Sequence, residues 1–199
     1  MDEATTWFAN KPSCQIEKEA MRKRMEAAQV ACRVERIKLQ HKAAEKAKFI
    51  LSQCHLDKHS YMDKKGFKDI LVNVYHKEEK PIMVIPMFAS KKICGVQEID
   101  VEGGKKFLYG ARTHEAYHNI GVGGRVVLCE GYATALSLHK ILSTLNKPAT
   151  VLATFSAGNM KKMAKKIPDC FLVCDNDKSG VGEKVGKESG RKWWMPEQV

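Results

Sequence analysis

The chain has 199 residues, enough for one large domain or two small ones, and its 44% hydrophobic content permits a packed core over part of that length. Its formal net charge of +11 and pI near 9.3 create a positive field that draws polyanions. Nucleic acid is therefore the first partner to consider and an anionic membrane surface the second, between which charge alone does not choose. The sequence has no apolar run long enough to cross a bilayer and no signal-peptide layout in its first fourteen residues, and the partners finally expected include no membrane.

Seven cysteines stand at 14, 32, 54, 94, 129, 170 and 174. An odd count at wide spacing, with no C-x-x-C pair, points away from a disulfide framework or zinc ribbon and toward a reducing, cytoplasmic setting. Cys129, Cys170 and Cys174 read as small buried hydrophobes.

Three regions follow, with boundaries read as 1–54, 55–121 and 122–199. Between Cys14 and Cys54 the chain is rich in Ala, Glu, Lys and Arg and has no Gly, the composition of a long helix. Val30, Val34, Ile37, His41, Ala44, Ala47 and Leu51 form a narrow apolar stripe on an otherwise basic surface, with His41 expected to be partly buried. In the second region Ile82–Ile85, Ile93–Ile99 and Lys105–Leu108 read as short antiparallel strands joined by turns at Ser90-Lys91-Lys92 and Gly103-Gly104. Lys105, Lys106 and Arg112, near Phe107, Tyr109 and Tyr117, suit a single strand whose phosphates pair and whose bases stack.

The third region alternates strand and helix. Arg125–Cys129, Thr150–Phe155 and Cys170–Cys174 are apolar runs suited to strands buried on both faces. Helices are predicted over Ala133–Leu145, Asn159–Lys166 and Val181–Lys192, with His139 structural. The expected architecture is α/β: a parallel sheet flanked by helices, preceded by a small antiparallel subdomain and a long basic helix.

Two acidic motifs end buried strands. Glu130-Gly131 follows the first and Asp175-Asn176-Asp177 the third. Ligands of open parallel sheets sit beyond the strands' carboxyl ends, so Glu130, Asp175 and Asp177 are expected to lie within a few ångströms of each other. Clustered like charges call for a cation, and a few oxygen ligands suit Mg²⁺ or Mn²⁺ with substrate phosphate completing the shell. Gly131 is expected to allow a sharp turn and close approach of substrate.

On these residues the segment Arg125–Lys192 resembles a Toprim domain, the metal-binding module of DnaG-type primases, type IA and II topoisomerases and certain nucleases. Val127-Leu128-Cys129-Glu130-Gly131-Tyr132 is similar to the Toprim glutamate motif, and Val173-Cys174-Asp175-Asn176-Asp177-Lys178-Ser179-Gly180 to its aspartate motif. Tyr61-Met62-Asp63-Lys64-Lys65-Gly66 and the small sheet after it resemble the approach to this domain in primases of phages and conjugative plasmids. Thr134 departs from the acid that many DnaG-type primases carry four residues after the glutamate.

The resemblance implies a Toprim (Rossmann-like) fold and a nucleotidyltransferase that makes RNA primers from ribonucleotides on single-stranded DNA, as a fragment of a larger phage or plasmid replication protein with a replicative helicase as a further partner. It assigns the metal to Glu130, Asp175 and Asp177, with Glu130 as ligand or general acid/base, and a phosphate contact to Lys106 or, equally, Lys105. A Toprim nuclease and a non-catalytic single-strand-binding adaptor are the alternative functions.

Overall fold

The computed structural model describes residues 15–197. Cys14, where the sequence places the start of the long helix, and the terminal Val199 lie outside the described residues. Helix α1 (Gln15–Ser52) takes up the rest of the Gly- and Pro-free segment. The chain divides within it into two compact units, one ending at Leu39 and the other running from Gln40 to Val199.

In the first unit Val30, Val34 and Ile37 are 63%, 46% and 44% exposed, so this half of the expected stripe is not a core seam. Ion pairs Arg22–Glu26 (3.7 Å) and Lys38–Glu35 (3.9 Å) lie along the same stretch, each contributing a few tenths of a kcal/mol at most. From Gln40 onward the helix buries Ala43, Ala47 and Ile50. That stripe is turned by one residue from the one expected through His41, Ala44 and Leu51, and His41 is exposed rather than partly buried.

The second unit holds two sheets. The first is antiparallel throughout, in the order β1 (His55–Asp57), β2 (Val72–Lys77), β3 (Lys80–Ala89), β4 (Lys92–Ile99) and β5 (Lys105–Phe107), with the short helix α2 (Ser60–Lys64) between β1 and β2. Its two tight hairpins turn on Glu78-Glu79 and Ser90-Lys91, all four at positive φ, the left-handed pair that matches strand twist. Alternation then sorts the faces. Val74, Met83, Ile85 and Ile99 pack with Tyr61 and Met62 on one side, while Val84 and Val96 receive Ala47 and Ile50 of α1 on the other.

The second sheet runs β10 (Lys192–Trp194), β9 (Phe171–Val173), β7 (Arg125–Cys129), β8 (Ala149–Ala153), β6 (His118–Ile120). The first four are mutually parallel, and β6 adds an antiparallel edge in a stretch with no strand pattern of its own. Helix α3 (Tyr132–Thr144) covers the face bearing Val127, Cys129, Val151 and Val173. Helices α4 (Ala157–Lys166) and α5 (Val181–Glu188) cover the other, against Leu128, Leu152 and Leu172. The last helix stops four residues before the predicted Lys192, and the chain from Lys192 pairs with β9 instead. Among the described residues no helix is long and apolar enough to cross a membrane.

The sheets meet where Phe88 and Tyr117 exchange backbone hydrogen bonds of 2.8 and 2.9 Å. Tyr132 and Leu136 of α3, with Phe155, pack on the Tyr61–Met62 cluster. This packing sets the carboxyl ends of the parallel strands beside α2 and β5.

Candidate active site

Strand β7 pairs directly with β9, Cys129 lying opposite Val173, so the next residue or two of each chain, Glu130 and Asp175, leave adjoining strand ends. Both carboxylates are half-buried. Burial pushes the Glu130 pKa up, Asp175 and then Asp177 push it further, and a hydrogen bond from the Ala157 N–H, together with Lys105, pulls against them. Asp175 is likewise raised by burial first and by Asp177, with Lys105 and Lys65 opposing. Like charges held in a partly dry cleft disfavour the doubly ionised state unless a cation joins them.

The backbone around Glu130 is built to hold it. Its carbonyl accepts the Phe155 N–H at 2.9 Å, and the Cys129 carbonyl accepts both the N–H and the hydroxyl of Thr154 at 2.9 Å. Phe155 sits at φ 68, left-handed for a bulky residue, which brings its ring edge-on to Phe107 at 6.0 Å. Ser156 then caps α4, accepting the Asn159 N–H at 3.2 Å, and the helix start presents the Ala157 N–H to Glu130. Buried Asn159 locks this turn: its amide donates to the carbonyls of Ala116 (2.7 Å) and Thr154 (2.8 Å), and its oxygen accepts the Glu115 N–H (2.7 Å).

Asp177 differs from its partners. It is exposed, and its carboxylate accepts the Ser179 hydroxyl at 2.5 Å and the Ser179 N–H at 2.9 Å, with the Gly180 N–H adding to them, so its pKa is lowered. The expected convergence of three carboxylates is thus two at the strand ends and a third engaged in its own turn. Consistent with that, no group of three or more His, Cys, Asp or Glu side chains among the described residues is gathered closely enough to hold a metal ion. The donor chemistry nonetheless fits a hard divalent cation: three carboxylates, two of them partly desolvated and raised. The neighbouring Cys129 and Cys174 are buried and their thiols pushed up, chiefly by burial and then by the carboxylates, so they offer no thiolate.

Across from the acids stand cations, and register decides which. Ile99 pairs with Lys105 and Gln97 with Phe107, so these two share one face of β5, and Lys106, opposite Glu98, has the other. Lys105 acts on both carboxylates, and its Nζ lies 5.8 Å from the centre of the Tyr61 ring; Lys65, from the turn after α2, lies 5.9 Å from the same ring and acts on Asp175. Lys106 and Arg112 are not among the groups acting on either acid. Arg112 is occupied elsewhere, paired with Glu115 at 3.0 Å and donating to the His114 carbonyl at 3.0 Å.

Gly131 caps α3 at φ −98, an ordinary extended conformation, and a Cβ there meets only Thr134 Oγ1 at 3.5 Å. Contrary to expectation, then, this glycine makes no sharp turn, and open space beside the helix start is what it provides. Gly182, which no sequence motif singles out, is the constrained one: a Cβ would sit 2.1 Å from the Asp175 carbonyl oxygen. Lys65, Tyr61 and Phe155 are further cleft residues that the sequence does not mark as such. The Tyr61–Gly66 motif is the one signal that touches the first two.

No protein-family model matches the chain. Among solved structures it is similar to the primase domain in an assembly of bacteriophage T7 lagging-strand DNA polymerase interacting with primase domains of two gp4 subunits bound to an RNA/DNA hybrid and dTTP. The identity is 15%, the TM-score 0.51, and the match covers 73% of this chain and 81% of that one. The fold is primase-like. At that identity the likeness is one of fold, with which an antiparallel sheet and a mixed sheet flanked by helices are compatible.

Proposed function

We propose that the chain is a Toprim-type primase that joins ribonucleotides into RNA primers on single-stranded DNA. The observation that carries this reading is the cleft itself, with Glu130 and Asp175 on adjoining strand ends and Lys105, Lys65 and Tyr61 across from them. The primase-like fold supports the same reading. Glu130, Asp175 and Asp177 would hold Mg²⁺ or Mn²⁺, and a cation there would neutralise charge developing on the phosphoryl oxygens of an incoming nucleotide.

The chain's own residues supply the rest. Asp177, now held by Ser179, would be a ligand to the cation. Glu130, raised by its surroundings and oriented by the Ala157 N–H, serves as ligand or as acceptor of a proton from the attacking 3′-hydroxyl. Lys105 and Lys65 bind nucleotide or template phosphate, and the open rim at Gly131 leaves room for the substrate's close approach. A replicative helicase as partner rests on the motif resemblance alone.

One observation favours a second reading. Asp177 is engaged by Ser179, which suits a single-strand-binding adaptor with a weak metal site. Incubation with single-stranded DNA, ribonucleotides and Mn²⁺ separates the outcomes. New strands support the primase, shortened DNA supports a nuclease, and metal-independent binding without either product supports the adaptor.

A further inference from the structure

A broad hollow among the described residues lies away from the acid cleft. It lies at the opposite, amino-terminal edge of the parallel sheet, has a volume of about 720 Å³, and is bordered by the starts of β7, β8, β9 and β10. Its rim carries Arg125, Lys147, Arg191 and Lys192 against a single acid, Asp169. Arg191 donates to the Ala164 carbonyl at 3.0 Å, but among the described residues no carboxylate pairs with Arg125, Lys147 or Lys192, although ion pairs occupy many other lysines and arginines. The floor is apolar and includes Phe171, which is 36% exposed.

Unpaired cations from separate chain segments around an apolar floor with an available ring are the chemistry of a single-strand track, where phosphates meet cations and a base stacks on the ring. We propose that this groove is a second binding site for single-stranded nucleic acid, separate from the carboxylate cleft. The five residues of β7, Arg125 to Cys129, put the two sites roughly 15 Å apart at ordinary strand rise. A strand held here is bound without touching the acids, so the groove anchors nucleic acid whatever chemistry the cleft performs.

The test is binding of a fluorescent oligo(dT) by the whole chain at several salt concentrations. Arg125→Glu/Lys147→Glu is compared with Lys77→Glu/Lys80→Glu, which reverses two exposed lysines at the β2–β3 hairpin with the same change in net charge. The groove variant is expected to weaken binding at least ten-fold more than the hairpin variant and to flatten the log–log salt slope by about 1.4, at ~0.7 for each phosphate no longer neutralised. Phe171→Ala, with its melting temperature checked, is expected to weaken binding several-fold with the salt slope kept, as removal of a stacking ring should. Equal weakening in the two charge-reversal variants, or an unchanged slope in the groove variant, would overturn the proposal.

Discussion

Replacing Asp175 with Asn should make the metal-free protein more stable at neutral pH. Burial and the Asp177 charge raise the Asp175 pKa, and Lys105 and Lys65 only partly oppose them. The folded protein therefore holds this proton more tightly than the unfolded chain does, and stability falls as pH rises through the carboxylate range toward the raised folded pKa. Below about pH 4 both states are protonated and the contribution disappears. Asn mimics the protonated acid, so it recovers the deficit at neutral pH and nothing at low pH. The gain is moderated because the cleft is half open to solvent, and it reads as a higher melting temperature of the variant at neutral pH. Melting followed by circular dichroism from pH 4 to pH 8 reads both parts. Adding Mn²⁺ should reverse the order, because only the wild type gains by binding; a hundred-fold excess over Kd is worth about 2.7 kcal/mol. A variant less stable than wild type at neutral pH without metal, or a gain that persists unchanged at pH 4, would refute the electrostatic account of the cleft.

Asn159→Ala strips partners from three backbone groups at a buried position and should cost about 2–5 kcal/mol in urea denaturation, loosening the turn that presents Ala157 to Glu130. Gly182→Ala must move the Asp175 carbonyl, so it should lower Mn²⁺ affinity at least ten-fold while an Ala at Gly131 changes it less than two-fold, as read by calorimetry. Lys105→Ala should reduce primer yield at least ten-fold and Lys106→Ala less than three-fold, since only the first faces the acids; equal effects would contradict the role that the β5 register gives Lys105.

The parallel strands are legible in the sequence because β7, β8 and β9 are continuous apolar runs, and the two acidic motifs can be placed at their ends by topology alone. The hairpin at Ser90-Lys91 is legible from its flanking strands, although its left-handed turn residues are not the usual Asn or Gly. What escapes is short or diluted. In β2, His76 and Lys77 follow a half-polar alternation. With three residues, β6 is too short to show a period, and its identity comes from pairing with β8. The stripe of α1 reads one residue out of phase because alanines flank it on both sides, and composition cannot say which alanine faces a sheet. Lys105 cannot be separated from Lys106 by sequence, since the choice depends on a register set across β4 and β5. Lys65 and Tyr61 stand more than 100 residues before Asp175, and only the packing of α3 on the first sheet brings them to it.

The most direct test of the central claim is a crystal structure of the chain grown with Mn²⁺, read by anomalous scattering. One manganese peak touching Glu130 and Asp175 is expected, with Asp177 released from Ser179 and turned onto the ion. A peak held elsewhere, or none at millimolar Mn²⁺ with Asp177 still bonded to Ser179, would contradict the metal reading of the cleft.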